Sequence, residues 1–129
     1  MEENKQLNEI TEQIIGAAID VHRVLGPGLL ESAYEACLMF ELVSRGLKAE
    51  QQRPLPVIYR DVKLDCGYRL DLVVENAIVI ELKAIDKILP IHRAQLLSYL
   101  KLSGLKVGLL INFHTKMLKD GVIRLVNNF

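Results

Sequence analysis

Apolar residues in the first third of the chain recur with the period of a helix. Between Leu7 and Val24 they follow the spacing i, i+3, i+4, i+7, which predicts an amphipathic helix over about residues 5–25. Gly26, Pro27 and Gly28 end this helix. A second helix is predicted from about Leu30 to Arg45, with Gly46 as its C-terminal cap.

Beyond residue 46 the apolar positions shorten into runs that are typical of strands. We predict strands at residues 47–51, 56–59, 68–74 and 78–83, with polar turns near Arg60-Asp61 and Glu75-Asn76. Pro90 can be the first residue of a third helix that ends near Ser103, and two further strands follow at 107–112 and 122–126. This order predicts an α/β fold in which a mixed sheet is covered by helices on both faces.

Length and composition predict one domain that spans residues 1–129. Half of the residues are hydrophobic, which is enough for a proper core. No apolar run approaches the ~18 residues that a membrane helix needs, and the acidic start of the chain has no signal-peptide pattern. Cys37 and Cys66 match no zinc spacing, so we expect reduced thiols in a cytoplasmic protein.

The charge balance limits how the chain could bind nucleic acid. Sixteen basic residues match sixteen acidic residues, so the formal net charge is zero. This argues against binding through bulk positive charge, although it is compatible with a local basic patch. The chain has no tryptophan, four tyrosines and three phenylalanines, which is few for a surface that stacks on single strands.

Three charged residues interrupt two adjacent apolar strands. They are Asp71, Glu81 and Lys83. Strands this apolar are normally buried, and a buried charge costs several kcal/mol unless it is paired or binds a metal. Asp71, Glu81 and the Leu82 carbonyl offer oxygen ligands for Mg²⁺ or Mn²⁺. Lys83 could hold a phosphate oxygen or help activate water, but an interstrand ion pair with either acid would equally explain these charges.

The two acids can meet only if the hairpin between them has the right register. Glu81 and Lys83 share one face of their strand, because side chains alternate. We predict a three-residue loop, Val74 to Asn76, with Asn76 in the left-handed conformation. This loop would place Asp71 opposite Val79 and diagonal to Glu81. A two-residue turn without a bulge would put Asp71 on the other face and argue against the site.

Two motifs together resemble a known family. Asp71, Glu81 and Lys83 are similar to the PD-(D/E)xK nuclease signature, and residues 28–34 read G-x-x-E-x-x-Y. In this order, the motifs resemble the GxxExxY protein family of the PD-(D/E)xK superfamily, from about Ile10 to Val126. Leu70 stands where the signature has proline, a position that varies in the superfamily.

The resemblance implies a restriction-endonuclease-like core and a set of site residues. Glu31 would be the helix-borne acid that approaches the metal, beside Asp71, Glu81 and Lys83. Gln95 matches a position in the following helix that is often polar in related nucleases. From position alone, however, Glu31 could simply be favoured by the helix dipole, and Gln95 could belong to a solvated helix face.

We therefore expect a metal-dependent nuclease that uses Mg²⁺ or Mn²⁺ to hydrolyse phosphodiester bonds. Nucleic acid is the expected partner, DNA before RNA, and the apolar strand 122–126 could pair with a second subunit in a homodimer. The main alternative is a non-catalytic nucleic-acid-binding or protein-interaction module that keeps the nuclease fold. A structural protein, whose acids only pair with Lys83, is a third alternative.

Overall fold

The computed structural model describes residues 2–129 and begins with two packed helices. Helix α1 spans Glu2–Leu25 and helix α2 spans Glu31–Ser44, as the sequence predicted. The buried stripe of α1 includes Leu7, Ile14 and Val21, which are seven residues apart and therefore share one face.

A five-stranded mixed sheet forms the centre of the molecule. Its five strands are β1 (Ala49–Pro54), β4 (Arg69–Val74), β5 (Ile78–Lys83), β6 (Val107–Asn112) and β7 (Val122–Val126). Their spatial order is β1-β4-β5-β6-β7, with β5 and β6 parallel and the other neighbours antiparallel. Strand β7 is thus an edge strand.

A separate small hairpin projects from the sheet. It consists of β2 (Val57–Tyr59) and β3 (Val62–Leu64), which pair only with each other. The predicted turn at Arg60 and Asp61 is confirmed, and both residues have positive φ. Strand β3 was not predicted, because its run of three residues is too short to give a clear pattern, and all three are exposed. A short 3₁₀ helix, Leu118–Gly121, was not predicted either.

Helices cover both faces of the sheet, as predicted for this α/β fold. Helices α1 and α2 pack against Ile78, Ile80 and Leu82, which point to one side of β5. Helix α3 (Pro90–Ser103) packs against the other side, which includes Val79. Among residues 2–129, no helix combines the length and the apolar character needed to span a membrane.

Candidate active site at the open end of the β4–β5 hairpin

The hairpin turn sets the register that the two acids need. The loop has three residues, Glu75 to Ala77, because Val74 pairs with Ile78. The predicted odd length is correct, but the predicted position, Val74 to Asn76, was wrong by one residue. Glu75 as well as Asn76 adopts positive φ, at 53° and 51°. The Ala77 N–H donates to the Val74 carbonyl over 3.0 Å and closes the turn.

This register brings Asp71 level with Glu81. The paired ladder ends at Leu72 and Ile80, so the next residues along the two strands are the two acids. Asp71 therefore lies opposite Glu81, and the expectation that it lies opposite Val79 was wrong. The side-chain period explains the outcome, because a shift of two residues keeps both acids on one face.

Beyond the last paired residues of β4 and β5, the side chains of Asp71 and Glu81 accept hydrogen bonds from backbone N–H groups. The Asp71 N–H donates to Glu81 Oε1 over 3.1 Å. The Leu82 N–H donates to Asp71 Oδ2 over 2.8 Å. Each acid thus accepts a hydrogen bond from the backbone of the opposite strand. These bonds hold both side chains at the open end of the hairpin and satisfy amides that would otherwise be unpaired.

Burial and repulsion by Asp71 favour the protonated form of Glu81. Only 8% of Glu81 is exposed. Burial, and next the charge of Asp71, raise the pKa of Glu81 from 4.5 to about 8, while the charge of Lys83 lowers it only in part. A divalent cation bound between the two acids would supply the positive charge that favours their ionised forms.

Lys83 is half-buried at the end of β5 and is not consumed by an ion pair. None of the ion pairs found among residues 2–129 includes it. The interstrand ion pair that could have explained the charges is therefore not formed. The Lys83 carbonyl accepts a hydrogen bond from the Phe113 N–H over 2.9 Å, which fixes its backbone to the chain beyond β6.

The oxygen atoms at this end of the hairpin suit a hard divalent cation. Because the N–H and C=O of a strand residue point to the same side, the Leu82 carbonyl is directed toward β4, like the Leu82 N–H. Asp71, Glu81 and this carbonyl form an oxygen donor set of the kind that Mg²⁺ prefers. No third His, Cys, Asp or Glu joins the two acids in a metal-sized group within residues 2–129.

The helix-borne acid nearest to this site is Glu35. Glu31 is the exposed first residue of α2, and it does not form a metal-sized group with Asp71 and Glu81. Glu35, one turn later, accepts hydrogen bonds from Gln51 over 3.0 Å and from Gln52 over 2.7 Å. The role of Glu31 therefore stays a prediction, and Glu35 was not singled out from the sequence.

Gln52 connects Glu35 with the acid on β4. Its amide nitrogen, which donates to Glu35, also lies 3.4 Å from Asp71 Oδ1. Gln52 sits on β1 opposite Asp71, between the pairs that Gln51 and Arg53 form with β4. Its φ is 53°, which is unfavourable for a residue with a side chain. A strained residue in contact with a candidate site suggests a functional constraint, and no sequence pattern predicts this strain.

A family profile for the PD-(D/E)XK nuclease superfamily matches residues 8–125. The chain belongs to the PD-(D/E)XK nuclease superfamily. The mixed sheet with flanking helices agrees with the fold of this superfamily, whose members generally use divalent metal ions. Comparisons with curated proteins and with solved structures found no match.

The PD-(D/E)XK core places Gln95 beside Tyr99 on α3. Gln95 is exposed, and both residues line a cleft along the helix. Tyr99 is buried against Val79, on the strand face that carries Glu81. Burial, and then the charge of Glu81, raise the pKa of Tyr99, while the neighbouring Gln95 side chain lowers it. Gln95 thus reaches the acids through Tyr99, whose proximity to them was not predicted.

The tyrosine of the G-x-x-E-x-x-Y motif has a structural role. The Tyr34 hydroxyl donates to the Gly26 carbonyl over 2.6 Å and accepts from the Leu29 N–H over 3.1 Å. Its ring stacks on Phe113 at 4.4 Å between centroids. Gly28, with φ at 105°, allows the tight entry into α2. Tyr34 therefore joins the loop before α2 to the core next to β6.

Proposed function

We propose that this chain is a metal-dependent nuclease that hydrolyses phosphodiester bonds with Mg²⁺ or Mn²⁺. The observation that supports this most directly is the convergence of Asp71 and Glu81 at the open end of the β4–β5 hairpin. Two carboxyl groups held together in a largely buried place, with the pKa of Glu81 near 8, form a site that a divalent cation would stabilise.

The residues of this site would have two roles, which are metal binding and contact with phosphate or water. Asp71, Glu81 and the Leu82 carbonyl would hold the cation. When bound, the ion would offset charge on the phosphoryl oxygens and make water a better nucleophile. Lys83 carries a half-buried ammonium group without a carboxylate partner among residues 2–129, so it is available to a phosphate oxygen or to the attacking water.

Two further residues are assigned supporting roles. The motif of residues 28–34, which resembles the GxxExxY family, gives Glu31 the role of a helix-borne acid. Because Glu31 is exposed at the start of α2, its contribution would be smaller than that of Glu35, which is hydrogen-bonded to Gln52. We assign Gln95 the role of a positioning residue, because it lines the same cleft as Tyr99, one helical turn away on α3. DNA is the substrate that we expect before RNA, and β7 offers an open edge for a homodimer contact.

A non-catalytic binding module is the second candidate. The observation in its favour is that only two acids converge within residues 2–129, without a third ligand from a side chain. The zero formal net charge points the same way, because it provides little general attraction for a polyanion. Such a module would keep the fold and its binding surfaces but would cleave nothing.

Cleavage of labelled DNA and RNA, single- and double-stranded, tests the proposal. Each substrate is incubated with Mg²⁺, Mn²⁺ or EDTA. The wild-type protein is compared with Asp71→Asn and Lys83→Gln, which change the site with little change in volume. Matched controls are Glu9→Gln and Lys5→Gln, which remove the same charges from exposed positions on α1.

We expect cleavage that needs the metal, is lost in Asp71→Asn and Lys83→Gln, and survives in both α1 variants. Loss of one such group typically lowers the rate by about a hundredfold or more. If no substrate is cleaved and neither metal raises the melting temperature, the metal site is refuted. Binding of nucleic acid without cleavage would then support the non-catalytic module.

A further inference from the structure

A cavity opens along α3, on the side of the sheet that carries Glu81. It has a volume of about 410 Å³, and we call it the tyrosine cleft. Tyr68 lies directly before β4, three residues from Asp71, and Tyr99 comes from α3. The two rings are 5.9 Å apart and inclined by 59°. The residues that give the cleft its character are Tyr68, Tyr99, Ile91, His92, Gln95 and Ser98.

The tyrosine cleft lies on the same side of the sheet as Glu81. Tyr99 belongs to the same packed group as Val79 and Leu70. Val79 shares a strand face with Glu81, and Leu70 is the neighbour of Asp71. The charges of Glu81 and Asp71 contribute to the raised pKa of Tyr99, which agrees with this proximity. A molecule bound in the cleft against Tyr99 would therefore lie close to the acid pair.

The lining of the cleft suits a flat ring with polar edges. Tyr68 is 42% exposed, so part of its ring can be covered by a ligand. Apolar side chains form much of the remaining lining, namely Val57, Ile91, Ala94 and Leu102. Gln95, Ser98 and His92 offer amide, hydroxyl and imidazole groups for hydrogen bonds. Neither lysine nor arginine is found among the described residues that line it. The cleft therefore favours a nucleobase over a phosphate group.

We propose that the tyrosine cleft binds an unpaired base of the substrate strand next to the phosphate that is cleaved. This inference rests on the proposed nuclease function and names its substrate class: single-stranded or locally unpaired nucleic acid. A base inside a duplex is stacked and paired, so it cannot enter a cleft of this kind without leaving the helix. Stacking on an aromatic ring strengthens binding of a base with little dependence on its identity.

Binding without cleavage tests this inference. A short single-stranded DNA that contains the fluorescent base 2-aminopurine is titrated with the protein in EDTA, and the matching duplex is titrated beside it. Tyr68→Ala removes the exposed ring, and Tyr68→Phe keeps it. Ser98→Leu fills the cleft from the exposed surface of α3 and provides a second variant if Tyr68→Ala folds poorly. The control is Phe40→Ala, which removes a 70% exposed ring on α2, across the sheet.

We expect the wild type to bind the single strand more tightly than the duplex and to quench 2-aminopurine. Tyr68→Ala and Ser98→Leu should each weaken binding by about tenfold, the lower part of the range for one stacked base. Tyr68→Phe and Phe40→Ala should bind like the wild type. Equal binding of single strand and duplex, no binding at all, or no effect of either cleft variant would overturn the inference.

The two proposals can fail separately. Binding that depends on Tyr68, in a protein that cleaves nothing, would support the cleft and refute the nuclease. Metal-dependent cleavage that needs Asp71, but is unchanged on every substrate by Tyr68→Ala and Ser98→Leu, would support the nuclease and refute the cleft.

Discussion

Asp71 and Glu81 each accept a hydrogen bond from the backbone of the other's strand. Glu81 Oε1 lies 3.1 Å from the Asp71 nitrogen, and Asp71 Oδ2 lies 2.8 Å from the Leu82 nitrogen. This reciprocal arrangement replaces the next step of the sheet ladder with two carboxyl groups. It places two carboxyl groups next to each other where the strands separate.

The metal-free protein should lose stability as the pH rises from about 5 to about 8. Glu81 has a pKa of about 8 in the folded chain against an ordinary 4.5, so the folded state binds an extra proton in this window. Stability therefore falls with rising pH, by about 1.4 kcal/mol per unit at most. Glu81→Gln should remove most of this slope. Urea unfolding in EDTA at several pH values measures it, with Glu9→Gln as control. A wild-type slope that persists in Glu81→Gln would contradict the assignment.

Magnesium should stabilise the protein more at pH 8 than at pH 6. The cation and the proton compete for the same acid pair, and a proton bound to Glu81 must leave before that carboxyl can act as a ligand. The rise in melting temperature on adding Mg²⁺ measures this, because a ligand that binds only the folded state stabilises it. Asp71→Asn should abolish the rise at both pH values. An equal rise at both would show that the ion binds elsewhere.

Gln52→Gly should be more stable than Gln52→Ala, although neither keeps the amide. The left-handed φ of residue 52 costs about 1–2 kcal/mol for a residue with a Cβ atom and almost nothing for glycine. Chemical denaturation of the two variants compares them directly. Both should lose the link between Glu35 and Asp71 and bind metal more weakly than the wild type. An alanine variant as stable as the glycine variant would mean that residue 52 is unstrained.

Glu35→Ala should weaken metal binding more than Glu31→Ala. Glu35 holds the Gln52 amide, which lies against Asp71, whereas Glu31 is exposed at the start of α2. Loss of a group that orients a ligand typically costs 10- to 100-fold in metal affinity. Alanine suits both helical positions, so folding should be retained. Titration with Mn²⁺ gives the two affinities. A larger loss in Glu31→Ala would support the role that the GxxExxY motif implies for that residue.

Tyr34→Phe should destabilise the fold without changing the chemistry. The variant leaves the Gly26 carbonyl and the Leu29 N–H without the hydroxyl that now bonds both, at a cost of about 1–3 kcal/mol. Tyr59→Phe is the matched control, since Tyr59 is 59% exposed on the β2–β3 hairpin. Urea unfolding should separate the two variants, while the cleavage rate per folded molecule stays at the wild-type level. A loss of cleavage without a loss of stability would place Tyr34 in the reaction.

Local patterns were sufficient to predict most of the elements and the acid pair. The helical period of α1 and the apolar strands around Asp71 and Glu81 are properties of neighbouring residues. The alternation of side chains made the odd loop length a requirement for the site, and the three-residue loop meets it. The loop was misplaced by one position, because Glu75 as well as Asn76 adopts the left-handed conformation that Asn76 alone was expected to adopt.

Contacts between distant residues could not be predicted in the same way. Glu35 and Gln52 are separated by seventeen positions and meet because α2 packs against the sheet where β1 bends. Tyr68 and Tyr99 lie far apart in the chain, yet their rings are neighbours. The few aromatic residues argued against a stacking surface, but the fold brings two of them together beside the acids.

The sequence by itself determined the helices, the apolar strands, and a pair of acids with a lysine whose burial requires an explanation. It could do so because periodicity and the cost of burying charge depend on the local chain. The tertiary structure decided that Lys83 is not spent on an ion pair, that Glu35 reaches the site through Gln52, and that a cleft opens beside Tyr99. Those outcomes depend on packing between elements remote in sequence, which no local pattern encodes.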